Sequence, residues 1–188
     1  ASSPPTRPRS AVRVICREGA PERLLAELAV HGLDMVLSDA PIPPSVRVRA
    51  FNHLLGKCGV AFLARPELAR RLRGDFPASL EGAPVLLPGV GTMLRRELDG
   101  WFEVQGVRPV IAGEFDDSAL MKVFGQAGAG FFAVPEVIED EVARQHGVEP
   151  IGATRDVTEQ FYAISVERRV HHPAVAAICQ AARAQLFA

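Results

Sequence analysis

Cysteine is scarce in this sequence, and so are the hydrogen-bonding aromatics: three cysteines, one tryptophan and one tyrosine among 188 residues. Cys16, Cys58 and Cys179 are odd in number and widely spaced, which excludes a disulfide framework and a CxxC metal pair. Reduced thiols in a cytoplasmic protein are the natural expectation. No apolar run approaches the ~20 residues of a membrane span. Ala1–Ser10 carries Pro, Ser and Arg and lacks the apolar centre of a signal peptide, so it reads as a flexible lead-in. An excess of one charge is also missing. Twenty-one Lys and Arg face 22 Asp and Glu for a net charge of −1, without the basic face a duplex-DNA binder needs. The five histidines, His31, His53, His146, His171 and His172, are scattered, and no His, Cys or Asp spacing suits zinc. Neither Gly-Lys-Ser/Thr nor Gly-x-Ser-x-Gly occurs, which removes a nucleotide P-loop and a nucleophile elbow. The expectation is a chain with no cofactor, no metal and no catalytic residues.

What is present is a hydrophobic content of 48% with 23% charged residues, enough apolar material for a real core. Ala11–Arg17 alternates and is β-branched, predicting a strand. Pro21 suits a first helical turn, and Leu24, Leu25 and Leu28 fall on one helical face ended by Gly32. Leu33–Ser38 is a short apolar strand, so the opening reads as a parallel strand–helix–strand unit. Val46–Ala64 is extended, with Gly56 and Gly59 marking a turn or a bulge, and a short helix spans Pro66–Arg73. Three strand–loop–helix units follow: Val85–Pro88 into Thr92–Val104, Val110–Glu114 into Ser118–Gln126, and Phe131–Val134 into Glu136–Gln145. Val157–Val166 is extended again, and Pro173 opens a final helix.

The loops of those three units hold the candidate binding residues. Gly91 and Thr92 precede a helix whose first amides can hold an anion, or Thr92 simply caps that helix. Asp117 and Ser118 precede the next; an acid there favours the helix dipole and could also meet a cation. Gly130 and Pro135 bracket the third strand, where the glycine lets the strand leave the preceding helix closely or simply ends that helix. Cys58 lies beside Lys57, so a lowered thiol pKa and a redox role stand against a buried structural thiol.

The run Leu24-Leu25-Ala26-Glu27-Leu28-Ala29-Val30-His31-Gly32-Leu33-Asp34-Met35-Val36-Leu37, then Arg65-Pro66-Glu67-Leu68-Ala69, then Pro84–Glu136, resembles the effector-binding domain of LysR-type transcriptional regulators. Asp39-Ala40-Pro41, Leu86-Leu87-Pro88-Gly89, Leu98-Asp99-Gly100-Trp101-Phe102 and Phe115-Asp116-Asp117-Ser118-Ala119-Leu120 are similar to the sodium/proton-antiporter regulator branch. The resemblance implies an α/β fold, a two-lobed periplasmic-binding-protein-like (type 2) sensor with parallel-type sheets and two crossover segments. Residues 11–63 and 155–188 would form lobe I and 64–154 lobe II. A small polar molecule or ion would lie between them against Gly91, Thr92, Asp117, Ser118, Gly130 and Pro135.

The resemblance further implies a homodimer or tetramer, with Leu24, Leu25 and Leu28 as interface candidates. DNA would be met only through a winged helix-turn-helix, which the resemblance places ahead of a sensor and which these residues do not contain. The family's sensor also opens with a strand and a helix ahead of Val12, where this sequence has Ala1–Ser10 with its three prolines. Two other readings remain open at this point: a transporter's solute-binding protein, and a small α/β enzyme using Asp117 or Cys58.

Overall fold

The computed structural model describes residues 12–187; the expected lead-in, Ala1–Ser10, lies outside the described residues. The first helix, α1 (Pro21–Ala29), starts at a proline whose missing N–H costs nothing in a first turn. It leads to a short strand, β1 (Val36–Ser38). A long strand, β2 (Phe51–Ala64), and a short helix, α2 (Pro66–Leu72), follow. The strand–loop–helix units are β3 (Pro84–Pro88) with α3 (Met93–Gln105), β4 (Val110–Phe115) with α4 (Ser118–Gln126), and β5 (Phe132–Pro135) with α5 (Glu139–His146). A second long strand, β6 (Glu149–Ser165), and a last helix, α6 (Pro173–Leu186), complete the order.

Two sheets result: a four-stranded one in the order β1-β6-β2-β5 and a pair, β3-β4. Every neighbouring pair in the larger sheet is antiparallel, because β2 and β6 run past each other in opposite directions. Among the described residues, parallel pairing is confined to β3 with β4 and to a bridge between Val85 and Phe131. That bridge sets β5 beside β3 in the same direction, so the carboxyl ends of β3, β4 and β5 lie on one side. The strand expected at Ala11–Arg17 does not form over the described part. Val12, Val14 and Ile15 are more than half exposed and no strand pairs with them. Alternation specifies a strand only where a neighbour supplies the ladder and a surface to bury.

The core follows the β2–β6 ribbon and changes character along it. At one end, Leu25 and Leu28 of α1 pack with Val36 and Ile164, and Val175 and Cys179 of α6 pack with Leu55 and Ala163. At the other, Phe62 stacks on Trp101 with ring centroids 5.2 Å apart, amid Val60, Val85, Phe102 and Phe131. A second layer there joins Leu63, Leu86, Met121, Phe132 and Val134. The ladder breaks between the two ends. From Cys58 to Val60 β2 advances two residues, while β6 advances five from Thr154 to Glu159, so residues 155–158 bulge out of register.

Candidate functional site

The carboxyl ends of β3, β4 and β5 face the middle of the ribbon, and so does the end of β1, whose Ser38 pairs with Tyr162. Helix starts and turns therefore converge there. At the end of β3, the Gly89 amide donates to the Phe115 carbonyl (2.8 Å), and a Cβ on Gly89 would run into Asp116 Oδ1. The two loops are thus in contact. Gly91 has φ +105°, a conformation that side chains with a Cβ rarely adopt. Thr92 caps α3: its Oγ1 accepts from the Arg95 amide (3.2 Å) and donates to the Gly89 carbonyl (3.1 Å). The amides of Met93 and Leu94 stay without intrahelical acceptors, as any first turn leaves them.

Asp117 caps α4. Its Oδ1 accepts from the amides of Ala119 (2.7 Å) and Leu120 (3.4 Å). The carboxylate is thereby engaged by its own helix, and Ser118 stands exposed in the first helical position. Arg95 anchors this rim from below. It is only 8% exposed, donates to the Pro88 carbonyl (3.1 Å), and pairs with Asp99 (2.9 Å) and Glu114. The hydrogen bond to Glu114 and the two carboxylates hold its pKa above the ordinary arginine value.

Of the six expected binding residues, Gly91, Thr92, Asp117, Ser118 and Pro135 are placed at this carboxyl-end side. Gly130 is not. It packs at the opposite end of β5, where its amide neighbour Phe131 donates to the Pro84 carbonyl (2.9 Å) and an added Cβ would lie 2.7 Å from that same oxygen. At ~3.3 Å per strand residue, roughly 16 Å separates Gly130 from Pro135. The reason for this glycine is backbone packing. Leu25 and Leu28 are buried in the chain's own core, while Leu24 is half-buried, so two of the three interface candidates are already occupied within the chain.

One group escaped the sequence reading. Glu159 lies opposite Cys58 at the break in the ladder. Its side chain is largely buried and its Oε2 has no hydrogen-bond partner. Burial, then Asp39 and Glu97, push its carboxyl up to about 7, with Lys122 acting in the other direction. Glu97 meanwhile accepts the Thr158 amide at 2.8 Å and ties α3 to the bulge. The available signal was a carboxylate in step with the apolar Val157 and Phe161 on an otherwise extended run. Cys58 is half-buried, and desolvation raises its thiol pKa, the opposite of an activated thiolate. Cys179 is buried 3.9 Å from the Met35 sulfur. Among the described residues no cluster of His, Cys, Asp and Glu is arranged to hold a metal, and no helix is long and apolar enough to cross a membrane.

Two concavities lie away from this convergence. One, of about 440 Å³, runs between α3 and β4 over Val85, Leu87, Phe102, Val107 and Ile111; the other is an open bowl at Glu167–His171. Neither holds the loops that the strand directions bring together.

Residues 7–187 match the family model of the LysR substrate binding domain. The chain belongs to that family. It is 38% identical over 176 residues to the transcriptional activator protein NhaR of Escherichia coli (strain K12), covering 94% of this chain and 58% of that protein. The chain therefore spans less than two thirds of the length of that relative. The LysR fold is repeated in solved structures. The regulatory domain of OxyR2 from Vibrio vulnificus superposes with a TM-score of 0.63 at 13% identity, over 90% of this chain and 80% of that one. The effector binding domain of QuiR in complex with shikimate gives 0.62 at 15% identity, over 89% and 78%. At such identities the likeness is one of fold, that of LysR-type effector-binding domains.

Proposed function

We propose that this LysR-family chain is the effector-sensing part of a cytoplasmic transcriptional regulator, and that it works without catalysis. The observation that carries the reading is the convergence of the β3, β4 and β5 carboxyl ends, with two capped helix starts, on the middle of the β2–β6 ribbon. Loops at the carboxyl ends of parallel strands are the usual place for ligands in open α/β sheets. Lobe I comprises residues 11–63 and 155–188, and lobe II residues 64–154. A small polar molecule or an ion lies between them, against Gly91, Thr92, Asp117, Ser118 and Pro135.

Asp117 contributes by fixing the α4 start, since its carboxylate is engaged there. Ligand binding shifts the arrangement of the lobes only by the difference in its affinity for the two arrangements. The relative's name, a transcriptional activator, supports passing that shift to DNA through a part of the regulator beyond the 58% spanned here. Pairing of two such chains, as a homodimer or a tetramer, would use the outward face of α1 with the half-buried Leu24 at its margin.

The test is a thermal-shift titration of the purified chain against hydroxylated carboxylic acids of the shikimate type, amino acids, and sodium and lithium salts. A saturating rise in midpoint with one compound, weakened in Thr92→Ala by more than the cap's own effect, is expected. Equal behaviour of every compound, with no saturation, would sink the reading of a ligand at this site.

A further inference from the structure

Glu159 has no role in the site as described, yet its position is unusual. It stands in the segment of β6 that crosses from one lobe to the other, next to the bulge at residues 155–158. Its Oε2 is sealed from solvent and unpartnered. An ionised carboxylate oxygen in that condition is costly, whereas a protonated acid is far less so and brings a donor of its own. The groups around it come from every neighbouring element. Asp39 follows β1 in lobe I, Glu97 is on α3 and Lys122 on α4 in lobe II, and Cys58 faces it from β2. Glu136, just beyond β5, bears on the same Cys58. Two of these carboxylates, Asp39 and Glu97, act on Glu159 from opposite lobes, Glu97 being held beside it by the Thr158 amide, and Lys122 is the cation acting on it.

We propose that Glu159 is a proton-operated latch between the lobes: protonated, it lets the Asp39 edge of lobe I settle toward the Glu97 edge of lobe II, and ionised, it drives them apart. The step is uptake of one proton from solvent by the Glu159 carboxylate; no other bond changes. The neutral acid can donate to a facing carboxylate, a charge-assisted hydrogen bond in place of a repulsion. The anion instead makes a third negative group beside the exposed Asp39 and the half-buried Glu97, and its own sealed oxygen is where that repulsion is least screened. The position of its titration, near 7, puts both states within reach of ordinary solution conditions. The latch rests on the two-lobe division proposed above but needs no effector.

Hydrogen–deuterium exchange of the whole 188-residue chain without effector, corrected for the intrinsic pH dependence of exchange, tests it. One pH unit below 7, peptides covering residues 38–44 and 92–99 are expected to exchange severalfold more slowly than one unit above it. In Glu159→Gln the two conditions should give equal protection. Asp39→Asn removes a facing charge and keeps the acid, so the pH effect persists with its midpoint moved down. A wild-type chain with pH-independent protection, a Glu159→Gln chain that retains the difference, or an unmoved midpoint in Asp39→Asn overturns the proposal. The last holds even if Glu159→Gln does not fold. Because no effector is added, failure of the ligand titration leaves this result unaffected.

Discussion

The amide of Thr158 donates to the Glu97 carboxylate at 2.8 Å, and this one hydrogen bond joins α3 to the segment where the long strands lose register. Glu97→Ala removes the acceptor and leaves a half-buried amide to find water. A loss of about 1–2 kcal/mol is expected from the urea midpoint. Glu97→Gln keeps an acceptor oxygen and should lose less than half as much. Equal losses in the two variants would show that the hydrogen bond is immaterial.

The two helix caps at the loop rim should behave alike. Thr92→Ala and Asp117→Ala each remove the acceptor for first-turn amides and should cost about 1 kcal/mol, while Thr92→Ser and Asp117→Asn retain most of it. Thermal melts of the four variants separate cap chemistry from side-chain bulk.

Arg95 offers a sharper case because it is buried while its partners are not. Asp99 and Glu114 have about half their side chains exposed (54% and 45%), so water replaces the guanidinium for them when it is removed. The Pro88 carbonyl has less recourse. Arg95→Met is expected to cost about 1–3 kcal/mol, most of it from that carbonyl and from lost packing, so the deficit should change little with added salt. A deficit that vanishes in high salt would place the stabilisation in the ion pairs instead.

Gly130→Ala pushes a methyl group against the Pro84 carbonyl, which is backbone and cannot rotate away. Overpacking of this kind costs typically about 1–3 kcal/mol. Gly74→Ala, with nothing within 4 Å, is the matched control and should stay within about 0.5 kcal/mol of the parent. Ligand affinity, measured on whatever compound the titration identifies, should be unaltered in Gly130→Ala, since that residue is at the far end of β5.

Glu159 gives stability a definite slope with pH. Its folded-state value is raised from 4.5 to about 7. Below the unfolded value both states carry the proton and no stability is lost. Between the two values the unfolded chain ionises while the folded one holds its proton, so stability falls as pH rises, and the loss is complete above the folded value. At ~1.36 kcal/mol per unit the loss is at most about 3 kcal/mol. Glu159→Gln should abolish this contribution, so that the difference between variant and parent grows in the variant's favour from acid to neutral pH and then levels off. A constant difference across that window would remove Glu159 from the account.

The units β3–α3 and β4–α4 were readable because each switches from a strand period to a helix period across a capping residue, Thr92 or Asp117. The antiparallel sheet was harder to foresee. Val157–Val166 shows only that the chain is extended, and pairing partners are chosen by tertiary contacts that local pattern does not encode. Val12–Arg17 marks the same limit from the other side, with a strand pattern that finds no ladder. Gly130 was set beside Pro135 at the site by the resemblance alone, since the residues themselves only bracket a strand. Parallel direction alone puts them at opposite ends. Glu159 was passed over since a charged residue in a strand usually faces water, although its step with Val157 and Phe161 sets it on the apolar side.

The order of the chain along the ribbon has a consequence for synthesis. The cluster around Phe62 and Trp101 is built from residues between Val60 and Val157, so it can close while the last helix is still unmade. The cluster around Leu25 and Leu28 requires Ile164, and its neighbour at Leu55 requires Val175 and Cys179. Those contacts bridge nearly the whole length of the chain, the kind of closure that forms late and slowly. A nascent chain emerging from the ribosome would thus carry one finished half and one waiting half, whose uncovered leucines are the natural place for a chaperone to bind.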